Sequence, residues 1–202
     1  RQVKSEYRIP LVIFTPKSLL RHPMCVSTIE DLAEGSFQEV IDDDNVNMTS
    51  VSRLVFCSGK VYYDLLARKQ ELNARNVALV RIEQLHPFPR KHVQAILKKY
   101  EKVKLKLWVQ EEPENMGAWN YIRSMLPYED LIPVARIASA SPATGLAGLH
   151  MVGQREIIEN VFKRCHCEKN LPYCNLQCME GKTREEILKT HYYFSANQKF
   201  SI

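Results

Sequence analysis

The sequence of 202 residues is most informative at first for what it lacks. No apolar run approaches the roughly 20 residues that a membrane-spanning helix needs; the strongest runs, such as Leu11-Val12-Ile13-Phe14, are short. The opening Arg1-Gln2-Val3-Lys4 carries no signal-peptide pattern and no initiating Met, so the chain reads as a fragment of something longer. There is no G-x-G-x-x-G and no G-x-x-x-x-G-K-[ST], so no phosphate-cradling loop of either standard form. No internal repeat is visible. His22, His86, His92 and His150 are scattered, and no Ser or Cys sits in a nucleophile-elbow context, which leaves no catalytic triad. The charge balance is also mild. With 28 Lys and Arg against 23 Asp and Glu, the net +5 permits phosphate-bearing ligands without demanding nucleic acid.

What is present is ordinary globular chemistry: 45% apolar and 25% charged residues. A chain of this size buries roughly 70% of its unfolded surface, which excludes disorder throughout. Six cysteines are unevenly placed. Cys25 and Cys57 lie far apart in the body, which reads as a reduced, cytosolic protein. Cys165, Cys167, Cys174 and Cys178 crowd the tail.

Short β-rich runs alternate with amphipathic stretches. Strands are expected at Leu11 to Phe14, Leu54 to Cys57, Val77 to Ile82, Val103 to Val109 and Pro133 to Ile137. Helices are expected over Lys60 to Arg75 (Val61, Leu65 and Leu72 inward), Arg90 to Tyr100 (Val93, Ile96, Leu97 and Tyr100 inward), Gly117 to Leu126 and Leu149 to Arg164. The alternation over Val103 to Val109 puts Lys104 and Lys106 on a solvent face. Glu39 to Asn45, with Asp42-Asp43-Asp44, reads as an acidic surface loop. Strand–helix–strand spacing of this kind means parallel strands with helical crossovers. The fold class is therefore α/β, an open, mainly parallel sheet with helices on both faces. In such sheets ligands meet the loops after the strand C-termini. Here those are Ser58 to Lys60, Glu83 to Pro89, Gln110 to Gly117 and Ser139 to Gly145.

The candidate chemistry in these loops is sparse. Ser58-Gly59-Lys60 could present backbone N–H groups to an anion, but a tight turn with a lysine is the favoured reading. Glu111-Glu112-Pro113-Glu114 could do acid–base work, but loop pinning is favoured, since consecutive side chains on extended backbone diverge. Cys57 reads as a buried small hydrophobe, and Trp108 and Trp119 as core anchors. Basic residues cluster at Arg90, Lys91, Lys98, Lys99, Lys102, Lys104 and Lys106, usually a solvated face. Arg90 and Lys91 differ because they open a helix, where positive charge opposes the dipole. An anionic ligand would relieve that opposition.

Five segments in order carry a resemblance: Thr15 to Pro23 (TPKSLLRHP), Cys57 to Leu65 (CSGKVYYDL), Arg81 to Leu85 with Pro87 to Pro89 (RIEQL, PFP), Gln110 to Trp119 (QEEPENMGAW) and Ser139 to Gly145 (SASPATG). Together they resemble the C-terminal domain of the E1 component of 2-oxoglutarate dehydrogenase, over about residues 1–164. That resemblance implies a transketolase-like C-terminal domain and an enzyme that decarboxylates 2-oxoglutarate in the tricarboxylic acid cycle. The family passes a succinyl group to the lipoyl arm of the E2 succinyltransferase. It implies thiamine diphosphate and Mg²⁺ held by larger upstream domains across a homodimer, so no catalytic, cofactor-binding or metal residue is carried over here. A fragment of this kind is expected to supply dimer and sheet packing and to be inactive alone, in the cytoplasm of a bacterium or the mitochondrial matrix of a eukaryote.

Some branches of the family bind acetyl-CoA as an activator. That pocket maps by resemblance onto Arg1, Gln84, Lys91 and His92, with His92 replacing an arginine. Ser36 and Glu39 stand where the activated branch has Lys and Ser, and the acidic Glu39 opposes a CoA phosphate. Arg90 joins Lys91 as the helix-opening basic pair. The 2-oxoadipate paralogue shares most of these motifs, although Ser18 to Pro23 and Gly117-Ala118-Trp119 look closer to the bacterial 2-oxoglutarate enzyme. A stand-alone α/β domain holding CoA or a nucleotide is the alternative reading. The tail, residues 165–202, does not match the family. Its C-x-C-x6-C-x3-C could close a zinc site and make an interaction module. The spacing departs from paired C-x2-C knuckles, and a loose extension is favoured, with a short helix from a Thr183/Glu186 capping box.

Overall fold

The computed structural model describes residues 5–7 and 9–162. They divide into two compact units, one up to Phe37 and one from Gln38 onward. The tail cysteines and the Thr183 capping box lie outside the described residues.

The first unit contains a 3-10 turn, Lys17–Arg21, and a short helix α1, Ile29–Ala33. Helix α1 begins at a reciprocal capping box. Thr28 Oγ1 accepts from the Asp31 amide, and the Asp31 carboxylate accepts from the Thr28 amide, both at 3.0 Å. The strand expected at Leu11 to Phe14 does not form. Those four apolar side chains are exposed, and no strand among the described residues pairs with them. An apolar run signals a buried strand only where a neighbouring strand takes its hydrogen bonds.

The second unit holds five strands: β1 (Val40–Ile41), β2 (Arg53–Cys57), β3 (Val77–Ile82), β4 (Leu105–Pro113) and β5 (Leu131–Arg136). Their order across the sheet is β1-β3-β2-β4-β5. β1 runs antiparallel to β3, and every other pairing is parallel. The helices are α2 (Val61–Glu71), α3 (Arg90–Lys99), α4 (Trp119–Met125) and α5 (Ala147–Phe162).

Period-2 alternation in the strands sorts the core into two layers. Leu54 and Phe56 of β2, with Ala78, Val80 and Ile82 of β3, face α3 and α4, meeting Val93, Leu97, Tyr100, Trp119 and Ile122. Val55 and Cys57, with Val77 and Leu79, face α2 and α5, meeting Val61, Leu65, Ile157 and Val161. This is the mainly parallel α/β sheet with helices on both faces that the sequence predicts. Because both faces are covered, β2 and β3 read as near-continuous apolar runs.

Three local expectations are corrected. β4 does not leave a face in solvent: Leu107, Trp108, Val109 and Gln110 are all buried. The alternation counted from Val103 changes phase, since Val103 packs with Trp108 in the α3/α4 layer while Leu107 and Val109 lie in the other. The inward face of α2 is Val61, Leu65 and Lys69, and Leu72 is exposed beyond the helix. Lys69 takes the core-facing position because its ammonium meets Asp43 at 2.5 Å, with only 9% and 8% of the two side chains exposed. In the acidic run Asp44 and Asn45 are exposed as expected, but Asp42 and Asp43 turn inward. Asp43 also accepts from the Leu79 amide at 2.9 Å. Asp42 accepts from Lys99 and, at 3.0 Å, from the Tyr100 hydroxyl. Burial first, and that bond second, hold the Tyr100 phenol above its ordinary range.

Candidate functional site

Chain direction reverses across the sheet between β2 and β4, since β2 leads outward to β3 and β4 returns on its other side. A ligand-binding crevice in such sheets opens at that point. Here Gly59, with φ 73°, turns β2 into α2. The Lys60 ammonium that follows lies 2.5 Å from Glu111 at the end of β4 and 3.9 Å from Asp64. Two carboxylates already balance the one cation, so Ser58-Gly59-Lys60 acts as a turn and Glu111 as its pin. Beside it, burial pushes the Cys57 thiol up to about 12, with Arg81 opposing and Glu83 adding to the effect.

That thiol has two expected consequences. At pH 8 Cys57 reacts with a soluble alkylating reagent only through unfolding, while the exposed Cys25 reacts at once; peptide mapping by mass spectrometry separates the two. The folded state also holds the Cys57 proton more tightly than the unfolded chain. Stability from this group is therefore flat below the ordinary thiol value of 9.0 and falls as pH rises above it, by about 1.4 kcal/mol per pH unit. Thermal melts from pH 8 to 9.5, below the range in which the tyrosines titrate, show the slope, and Cys57→Ala reduces it.

The loop from β4 to α4 is organised by one buried side chain. Gln110 Oε1 accepts from Trp108 Nε1 and from the Trp119 amide, each at 2.9 Å. Gln110 Nε2 donates to the carbonyls of Pro113 at 3.0 Å and Met116 at 2.7 Å. Gly117, at φ 65°, closes the loop, and a Cβ there would stand 3.0 Å from the Gln110 amide. Asn115 then ties this loop to the next by a reciprocal pair with the Ser139 backbone, both bonds at 3.0 Å. The motif containing Gln110 is conspicuous in the sequence, but its hub role is not; a glutamine seven residues before a loop-closing glycine is the only local sign.

Between β3 and the start of α3, two of the sequence-predicted residues, Gln84 and His92, meet Glu39. The Glu39 carbonyl accepts from the Glu83 amide at 2.9 Å and the Gln84 amide at 3.1 Å. Its carboxylate meets Gln84 Nε2 at 3.4 Å and His92 Nδ1 at 3.0 Å. Gln84 Nε2 donates as well to the Pro87 carbonyl at 2.8 Å. Lys91, the second residue of α3, is exposed. Arg90 does not join this group. Its guanidinium donates to the Met125 carbonyl at 2.9 Å, at the C-terminal end of α4. The positive charge that is unfavourable at the start of α3 thus serves the negative end of another helix. Ser36 belongs to the first unit, and Arg1 lies outside the described residues.

Among the described residues no group of three or more His, Cys, Asp or Glu side chains could hold a metal ion. No helix among them is long and apolar enough to cross a membrane.

Comparison with known proteins supplies what the geometry does not. The family described as "2-oxoglutarate dehydrogenase C-terminal" matches residues 26–162. The 2-oxoglutarate dehydrogenase E1 component of Cupriavidus necator is 44% identical over 170 residues, covering 81% of this chain and 18% of the relative. That of Haemophilus influenzae is 45% identical over 168 residues, covering 80% and 18%. The mitochondrial 2-oxoglutarate dehydrogenase of Caenorhabditis elegans is 46% identical over 173 residues, covering 80% and 17%. The chain thus spans under a fifth of the length of these relatives.

Proposed function

The chain belongs to the 2-oxoglutarate dehydrogenase C-terminal family, and from that premise we propose that it works as the C-terminal part of an E1 component in the oxidative decarboxylation of 2-oxoglutarate. The observation that carries the reading is the match over residues 26–162, which includes the whole β2-to-α5 sheet unit. In this reading thiamine diphosphate and Mg²⁺ are held by the rest of the longer protein. The present residues pack the sheet and support a homodimer that passes succinyl groups to the E2 succinyltransferase. The pinned geometry supports the packing role: Lys60 with Glu111, and Gln110 with its partners, hold the loops in place.

The test is a chimera. This chain replaces the matching stretch of the Cupriavidus necator protein, and decarboxylation of 2-oxoglutarate is followed with an artificial electron acceptor. The chimera is expected to keep activity within about tenfold of the parent, since about 1.4 kcal/mol of misfit costs a factor of ten. The chain alone, with thiamine diphosphate and Mg²⁺ added, is expected to show none. Turnover by the chain alone, or a folded chimera without activity, overturns the reading.

The acyl-CoA role is proposed for the β3–α3 loop in reduced form. Gln84, Lys91 and His92 remain as donors, with Arg1 as a fourth by resemblance and Arg90 committed elsewhere. The Glu39 carboxylate already satisfies Gln84 and His92, so a phosphate would have to displace a like charge. Glu39→Ser is expected to tighten acetyl-CoA binding about tenfold or more by calorimetry, the equivalent of about 1.4 kcal/mol. Equal affinity in the two proteins counts against a pocket at this loop.

A further inference from the structure

We propose that the outer face of α3, continued through the turn into β4, docks an acidic polypeptide. The charge count singles this face out. Residues 90–106 hold seven Lys and Arg against one acid, Glu101, a surplus of six in a chain whose whole net charge is +5. The remainder of the sequence is thus balanced to within one charge, and the excess sits in one helix–turn–strand unit.

The structure then shows which of the seven are spent. Arg90 goes to the Met125 carbonyl, Lys99 to Asp42, and Lys106 to Glu129 at 2.5 Å. Lys91, Lys98, Lys102 and Lys104 are exposed and make no ion pair among the described residues. Lys91 and Lys98 are seven residues apart, so they share a face about 10 Å apart along the helix. That face lies opposite Val93 and Leu97, which point into the core. Ala95 between them is short enough to let another backbone approach. Lys102 and Lys104 extend the row past the helix end.

Repulsion among these like charges is left largely unbalanced. Among the neighbouring acids only the exposed Glu101 stands in the row, one carboxylate against four lysines. Asp42 faces Lys99 and Tyr100, and Glu129 faces Lys106. An external row of carboxylates would offset the repulsion. The composition favours carboxylates over nucleic acid. All four free cations are lysines, the one arginine is committed, and the nearby aromatics Tyr100 and Trp108 are buried rather than offered as stacking platforms.

The inference does not rest on the acyl-CoA reading, and its test leaves Lys91 in place. Labelled poly-L-glutamate of about 30 residues is titrated into the full chain at about 50 mM salt, where the Debye length keeps surface charges visible, and bound fraction is read by anisotropy. A single-stranded DNA of equal charge is titrated in parallel. The triple variant K98Q/K102Q/K104Q is compared with K17Q/R75Q/R155Q, which removes the same charge from exposed positions elsewhere. Poly-glutamate binding is expected to fall at least tenfold in the first variant and less than twofold in the second. Lys98→Glu alone gives a second reading should the triple variant fail to fold; its expected loss is at least threefold. No binding by the parent, equal losses in the two triple variants, or tighter binding of the DNA through the same lysines would each overturn the proposal.

Discussion

Asp43→Ala is expected to lower the stability of the chain by about 3–5 kcal/mol, the usual cost of stripping one partner from a buried ion pair. Lys69 would keep its charge in the core-facing row of α2 with nothing opposite it. The Leu79 amide would lose its acceptor at the same time. For a domain of this size the loss corresponds to roughly 10 °C in melting temperature, and denaturant melts followed by circular dichroism measure it directly. Two further variants separate the contributions. Asp43→Asn keeps an acceptor for Leu79 and loses only the ion pair. D43N/K69M removes both charges while keeping that acceptor, and is expected to recover most of the loss, because a long apolar side chain fits where the lysine stem already lies. If Asp43→Ala melts within about 1 kcal/mol of the parent, the pair is not the anchor its burial makes it.

Gln110→Leu is the second large effect. Leucine is close in volume but has no polar atoms. It strands the Trp108 indole N–H, the Trp119 amide and the Met116 carbonyl at one stroke, while the Pro113 carbonyl keeps the Met116 amide. Each buried group left unsatisfied costs about 1–3 kcal/mol, so a total of about 3 kcal/mol or more is expected even if water reaches half of them. The readout is built in. Trp108 and Trp119 are the chain's two tryptophans, and both hydrogen-bond Gln110. Their emission is expected to shift to the red in the variant before the global transition, as the loop opens and admits water. Gly117→Ala should produce a smaller loss in the same loop, since its Cβ would press on the Gln110 amide at a positive φ. An unchanged emission maximum in Gln110→Leu, with unchanged stability, would show that the hub is dispensable.

These two residues also mark where sequence reading stops. Strand β3 is legible from Val77 to Ile82 to the residue, because a strand buried on both faces needs a near-continuous apolar run and shows one, broken only by Arg81. The inner face of α3 is equally legible from the spacing of Val93, Leu97 and Tyr100. Periodicity reports burial against the body of the same chain, and in those places it does so faithfully. It misleads at Leu72, where an apolar residue continues the pattern beyond the helix end, and at Lys69, where a charged one interrupts it. The pairing that explains Lys69 lies 26 residues away, at Asp43, in a run whose composition reads as solvent-facing. Leu11 to Phe14 misleads for the opposite reason: the residues suit a strand, but a strand is a property of a pair. In the candidate site, Gln84 and His92 both meet Glu39. That the Glu39 carboxylate engages both Gln84 and His92 depends on the approach of β1 to β3, which no local pattern encodes.

The short reach of β1 has a consequence for handling the protein in solution. It covers only the Arg81 and Ile82 end of β3, and among the described residues no strand lies alongside the outer edge of Val77 to Val80, which are nonetheless at most 2% exposed. Were its cover lost, such an edge, apolar and extended, would be a template on which a second chain can add itself. The Asp43 carboxylate sits in the middle of that edge, on the Leu79 amide, and places a buried negative charge where an incoming strand would have to lie. It acts as a gatekeeper against self-association as well as an anchor. A chain deprived of it would announce the loss first as falling soluble yield and growing light scattering at high concentration, at temperatures where its circular dichroism is still that of the folded state.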